Sequence, residues 1–153
     1  MRLFLSATLV FAAASATAGP VTFASGWREQ RLSLFSSNDY TFGRTLAMVS
    51  DGSVSIAWSR VAEADWGAQT ATWDWSVTQS VPATDLSLKG GDDRNISLYF
   101  LFVPADVAPS LAGAGIRSLL GRDDVRVIQY AWGGNNAVGA VIPSPYGKAG
   151  TGV

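Results

Sequence analysis

The sequence predicts an all-β fold: an antiparallel β-sandwich of the jelly-roll kind with one short helix. Three observations carry that prediction. Several runs alternate apolar and polar residues with a period of two, clusters of turn-forming residues separate them, and a single stretch has helical spacing.

The chain opens with an export signal over residues 1 to 18. Arg2 supplies the positive start, Leu3 to Ala14 form an apolar run, and Ala16-Thr17-Ala18 offer small residues for cleavage. A membrane anchor is the competing reading, but twelve apolar residues fall well short of the ~20 a helix needs to cross a bilayer. The mature chain is expected to start at Gly19 and to be exported, periplasmic or secreted. No later stretch is apolar for long enough to span a membrane as a helix.

From Gly19 to Val153 the length suits a single β-sandwich domain, and 48% hydrophobic residues over the whole chain supply a sizeable core. Leu32 to Phe35 and Tyr40 to Val49 are the weaker strand candidates. In Asp51 to Arg60, Val54, Ile56 and Trp58 fall on one side and Ser53, Ser55, Ala57 and Ser59 on the other, the mark of a half-buried strand. Asp51-Gly52, between two such runs, is a hairpin signal. Thr70 to Val81 repeats the alternation, with Ala71, Trp73, Trp75 and Val77 inward. Asn95 to Val103 is apolar on both faces, as expected of a central strand covered on both sides. Ser110 to Leu120 is the helix, with Ser110 able to cap, Leu111, Ile116, Leu119 and Leu120 available for one face, and Gly121 to stop it; Gly113 and Gly115 weaken it. Val125 to Trp132 is the last strand, with Ile128, Tyr130 and Trp132 sharing a side.

Composition excludes several chemistries. Removing residues 1 to 18 takes away Arg2 and leaves 10 basic against 12 acidic residues, a balance of -2 with no broad positive field for a phosphate backbone. Nucleic acid is not an expected partner. There is no cysteine, hence no disulfide, no thiolate chemistry and no cysteine-ligated metal. There is no histidine either, which removes the commonest general base and the usual zinc ligand. No cofactor and no resident metal are expected.

Several of these stretches together resemble a known family. Trp73-Asp74-Trp75-Ser76-Val77, Asp85-Leu86, Lys89 to Asn95, Tyr99-Phe100, Tyr130 to Gly134 and Pro143-Ser144-Pro145-Tyr146, in that order, resemble the bacterial domain-of-unknown-function family 3047 across about Phe23 to Tyr146. The ordered set is far more specific than any piece of it. The resemblance implies an exported bacterial protein with a sandwich similar to carbohydrate-binding jelly rolls, and it supplies no activity. Members continue past the Ser-Pro-Tyr segment into further strands, whereas this chain runs into the glycine-rich Lys148 to Val153. The expectation is a domain incomplete at its C-terminus, with an edge strand left open to association.

Candidate site residues follow from the loops. In Gly90 to Asn95, Asp92 and Asp93 beside Arg94 can hold a sugar hydroxyl or a hard cation such as calcium, with the glycines permitting a tight backbone. Consecutive side chains in an extended segment diverge, so the plainer reading is a turn with one carboxylate paired to Arg94. Trp58, Trp73 and Trp75 sit at inward positions and are expected in the core. Trp66, in the irregular Ala62 to Gly67, and Trp132, before Gly133-Gly134, are candidate platforms for stacking a sugar ring. Glycoside cleavage would need two carboxyls held about 5 to 10 Å apart, for which Asp74, Asp92 and Asp93 are available, yet no pattern sets that spacing. The expected function is non-catalytic binding of carbohydrate or another envelope component at Trp66, Asp92, Asp93, Arg94 and Trp132. A carboxylate-dependent glycan hydrolase or lyase, and a structural envelope protein, are the alternatives.

Overall fold

The structure is a computed structural model that describes residues 18–146. The expected export signal over residues 1 to 18, apart from its last residue, and the tail from Lys148 lie outside the described residues. Within them, the chain is built from short strands and one short α-helix, and every strand pairing is antiparallel. The strands form three two-stranded sheets among the described residues. Two compact units divide between Trp73 and Asp74.

The first unit holds β1 (Arg28–Arg31), β2 (Asp39–Phe42), β3 (Leu46–Val49) and β4 (Ser55–Trp58). β2 and β3 form a hairpin over Gly43 to Thr45, Asp39 opposing Val49 and Phe42 opposing Leu46. This is the expected Tyr40 to Val49 candidate folded on itself. β4 pairs with β1, Arg28 opposing Trp58. Asp51-Gly52 therefore turns the chain from one sheet to another and closes no hairpin, because β4 finds its hydrogen-bonding partner upstream in β1 rather than in β3. β1 itself, Arg-Glu-Gln-Arg, has no apolar alternation: three of its four residues are exposed, so the segment has no face to mark. Leu32 to Phe35 bends instead of forming a strand, and leaves Leu34 and Phe35 exposed.

Asn38 is the one buried polar residue among those described, at 8% exposure, and it is fully engaged. Its side-chain amide donates to Tyr40 Oη (3.2 Å) and to Met48 Sδ (3.5 Å). Its carbonyl accepts from Ser53 Oγ (3.0 Å), and its backbone N–H donates to Ser55 Oγ (3.3 Å). Tyr40 Oη in turn donates to the Ser55 carbonyl at 3.0 Å, tying the β2–β3 hairpin to β4. Trp58 is half-buried, with the guanidinium groups of Arg28 and Arg60 lying 5.8 and 5.5 Å from its ring.

The second unit holds β5 (Ile96–Phe102), the helix α1 (Ile116–Leu120) and β6 (Arg126–Trp132). The two strands run antiparallel through seven residue pairs, from Ile96 opposite Trp132 to Phe102 opposite Arg126. Residues directly opposite share a face. Ile96, Leu98 and Phe100 thus lie with Trp132, Tyr130 and Ile128 on one face, where Phe100 and Tyr130 meet edge to face at 6.0 Å. Ser97, Tyr99 and Leu101 lie with Ala131, Gln129 and Val127 on the other. β5 is half-buried at best rather than covered on both sides, since β6 is its only partner strand among the described residues.

The expected helix over Ser110 to Leu120 divides. A 3-10 turn covers Ala108–Leu111, and the α-helix starts only at Ile116, after the two glycines that each cost a helix interior about 1 kcal/mol. Ser110 does not cap it; its hydroxyl donates to the Val107 carbonyl at 2.7 Å. Ile116 and Leu119 are buried and Leu120 is 40% exposed, while Gly121 ends the helix as expected. Leu86 and Val125 complete the buried apolar set of this unit. Each such side chain contributes roughly 1.5–3 kcal/mol of transfer free energy.

Residues 70–81 form no strand, which corrects the expectation there. The alternation survives in burial at Trp75 and Val77, half-buried, against Ser76 and Thr78, exposed; Trp73 is 37% exposed and is not a core residue. A period of two records which side of an extended segment is covered. It does not record whether a second backbone lies within hydrogen-bonding reach.

Candidate functional site

The turn before β5 carries the site. After Gly90 the chain runs extended into β5, so Asp92 and Asp93 point to different surroundings: Asp92 is partly buried and Asp93 is exposed. Arg94 turns back over the start of the strand. Its Nη1 donates to the Asp92 carbonyl at 2.8 Å and lies 3.4 Å from Asp92 Oδ2, forming an ion pair with both side chains about a quarter exposed, 26% and 21%. Its Nε donates to Ser97 Oγ (2.5 Å) and its Nη2 to Tyr99 Oη (2.9 Å).

Gln129 reaches the same cluster from β6. With its amide oxygen turned inward it accepts from Arg94 Nε (2.9 Å), Arg94 Nη2 (3.0 Å), Tyr99 Oη (3.1 Å) and Ser97 Oγ (3.0 Å). That orientation is chemically required, because the guanidinium nitrogens around it can only donate. The arginine is therefore fixed by groups on both strands, with Ser97, Tyr99 and Gln129 presented on the same face by strand alternation.

Tyr146 closes the cluster from downstream. Its hydroxyl donates to Asp92 Oδ1 at 3.0 Å, and the Gly90 amide donates to that same hydroxyl at 3.3 Å. The Lys89 ammonium lies 5.5 Å from the centre of its ring. A small cleft remains between Asp92, Arg94 and Gln129 on one side and Ile142, Ser144 and Tyr146 on the other, with room of about 30 Å³. That is enough to admit a water.

The neighbouring loops are braced against each other. Asp85 Oδ1 accepts from the Ser87 amide (2.9 Å), the Ser87 hydroxyl (2.7 Å) and Asn136 Nδ2 (3.0 Å), while Asn136 Oδ1 accepts from the Leu86 amide (3.0 Å). The Asn135 amide donates to the Thr84 carbonyl at 2.8 Å, and Thr84 Oγ1 donates to the Gly91 carbonyl at 2.5 Å. Gly134 sits with φ at +77° directly against Leu86, where a Cβ would come within 2.6 Å of Cγ. This brace joins the loop after β6 to the turn that carries Asp92.

Electrostatics follow from these partners. Burial pushes the Asp92 carboxyl up, but the hydrogen bonds from Tyr146 and backbone amides together with the Arg94 charge outweigh it, and the group lies below the ordinary carboxylate range. Asp85 is lowered by Asn136 and Ser87. Asp124 is lowered by its hydrogen bond from Arg122, whose Nη2 lies 2.5 Å from Asp124 Oδ2. Among the described residues no three acidic groups converge on a point where a metal ion could sit.

The five expected site residues separate. Asp92 and Arg94 are brought together at the cleft, while Asp93 between them is exposed and does not line it. Trp132, three residues from Gln129 along β6, lies on the opposite face of the two strands and is 37% exposed. Trp66 belongs to the first unit, is 51% exposed, and its indole N–H donates to the Val61 carbonyl at 3.1 Å within its own loop. Ser97, Tyr99, Gln129 and Tyr146 were not among the expected site residues, although Tyr99 and Tyr146 lie in stretches that carry the family resemblance. Gln129 carried a signal, being a polar residue at a half-buried position between Val127 and Ala131. Nothing local pointed to the contact of Tyr146 with Asp92, since its partner lies 54 residues away.

The sequence model of a family described as "Protein of unknown function (DUF3047)" matches residues 25–151. No curated protein and no solved structure matches the chain.

Proposed function

Because this chain belongs to the DUF3047 family, whose description assigns no activity, we propose its function from the site: non-catalytic binding of carbohydrate or another hydroxyl-rich envelope component at the Asp92–Arg94 cleft. One observation carries the reading. A carboxylate acceptor and a fixed guanidinium donor stand 3.4 Å apart, beside the phenol of Tyr99. A hydroxyl both donates and accepts, so it can bridge such a pair, and an aromatic ring beside it offers a surface to the apolar face of a sugar. Both charged groups are held by neighbours in advance, which reduces the ordering cost of binding.

The wider reading is of an exported protein, periplasmic or secreted after cleavage before Gly19, folded from there as one β-sandwich of the jelly-roll kind. The antiparallel pairing throughout supports that arrangement. Among the described residues no helix is long and apolar enough to cross a membrane.

The test is calorimetric titration of the chain from Gly19 with soluble cell-wall fragments and oligosaccharides. Saturable binding that is lost in Asp92→Asn and in Arg94→Gln, each still folded by circular dichroism, is the expected result. No binding to any of these by the wild-type chain would overturn the proposal.

A further inference from the structure

Tyr146 occupies the site in the way a ligand would. Its hydroxyl gives a proton to Asp92 Oδ1 and takes one from the Gly90 amide, the same paired role a sugar hydroxyl plays between an acceptor and a donor. Ile142, Ser144 and Pro145 arrive with it and form the wall that reduces the cleft to about 30 Å³. While this segment is in place, Tyr146 holds the Asp92 oxygen that a ligand hydroxyl would take.

The segment meets the rest of its unit through an isolated bridge at Pro143, the half-buried Ile142, Ser144 and Pro145, and Tyr146. Tyr146 is 59% exposed, and its polar contacts with the floor are the two hydrogen bonds to Asp92 and Gly90, joined by the Lys89 contact at 5.5 Å. Upstream the chain passes through an open turn, in which the Ala140 amide donates to the Ala137 carbonyl at 3.0 Å. Val138 and Val141 there are almost wholly exposed, and Gly139, with φ at +79°, has nothing within 4 Å of where a Cβ would stand. Such a turn offers little packing to resist rotation. Pro143 and Pro145 restrict the backbone between it and Tyr146, so the segment moves more nearly as one piece.

We infer that residues 142–146 are a self-occupying strap: Tyr146 is an internal competitor whose hydroxyl is exchanged for a hydroxyl of the incoming ligand as the strap swings away about Gly139. This rests on the binding function proposed above and adds its regulation. The Asp92 carboxylate is satisfied in both states, by phenol in one and by ligand in the other, so neither leaves a partly buried charge bare. The apparent affinity is then the intrinsic affinity reduced by the fraction of molecules with the strap open.

Tyr146→Phe keeps the ring and removes the competing hydroxyl. The experiment titrates wild type, Tyr146→Phe and Asp92→Asn with N-acetylglucosamine oligomers, cello-oligosaccharides and maltooligosaccharides. The expected result is a dissociation constant about tenfold lower in Tyr146→Phe than in wild type, the factor expected for loss of one charge-assisted hydrogen bond from the closed state, with no binding in Asp92→Asn. Equal or weaker binding by Tyr146→Phe would overturn the strap and make Tyr146 an ordinary contact, leaving the binding function intact. If neither wild type nor Tyr146→Phe binds any oligomer, the binding function falls and the strap falls with it.

Discussion

Asn136 Nδ2 donates to Asp85 Oδ1 across 3.0 Å, joining two loops 51 residues apart. The same asparagine accepts the Leu86 amide through its carbonyl oxygen, so one side chain satisfies a carboxylate and a backbone donor at once. Asn136→Ala is expected to lower the midpoint of thermal unfolding, and Asn136→Asp to lower it further at neutral pH by placing a second carboxylate against the first. Circular dichroism melts of the two variants check this; a midpoint unchanged in both would mean that the brace contributes nothing.

Gly134→Ala should destabilise by about 1–3 kcal/mol, through the left-handed backbone and through the overlap of the new methyl with Leu86. Gly113→Ala, where nothing lies within 4 Å and φ is not positive, is the matched control and should be neutral or slightly stabilising. Urea titration of both variants separates the two causes from any general effect of replacing glycine.

Asn38→Ala should cost about 1–3 kcal/mol, because Ser53 and Tyr40 lose their partner at a site only 8% exposed. Asn38→Asp should be worse than Asn38→Ala near neutral pH, since a carboxylate cannot donate to Tyr40 or Met48. Denaturant unfolding at pH 7 would measure both.

The acid limb of stability has a defined sign. Asp92, Asp85 and Asp124 all have carboxyl pKa values lowered in the folded state. Their contribution is fully present above the unfolded aspartate value of about 3.9 and is lost as pH falls through the folded values. Stability should therefore hold flat on this account from neutral pH down to about 4 and decline below it, and the decline should be shallower in Asp92→Asn. Chemical denaturation as a function of pH reads the slope directly.

Arg126 to Trp132 was legible because covered and uncovered positions alternate along it, and Ile96 to Phe102 because it is a continuous apolar run bounded by turn residues; Tyr40 to Val49 was legible as extended chain but not as the hairpin it forms. β1 was not, since Arg28 to Arg31 is exposed almost throughout and hydrogen bonding alone defines it. Thr70 to Val81 misled for the converse reason: burial alternates there without a neighbouring backbone to pair with. At the site, the pairing of Asp92 with Arg94 could be anticipated from two residues of separation in a turn. The polarity of Gln129 marked it within its strand, but its place beside Arg94 and that of Tyr146 beside Asp92 could not be anticipated, because they depend on which strand lies beside β5 and where the chain returns, and both are long-range facts.

The β5–β6 pairing has a consequence for how the two strands find their alignment during folding. A slip of one residue would carry Gln129 to the apolar side and put Trp132 among the donors of Arg94. That error would take the Gln129 acceptor away from Arg94, Tyr99 and Ser97 and break the edge-to-face contact of Phe100 with Tyr130. The cluster around Arg94 thus proofreads the strand alignment as well as shaping the cleft. Mutations there should produce misaligned chains that aggregate, a phenotype easily mistaken for a simple loss of binding.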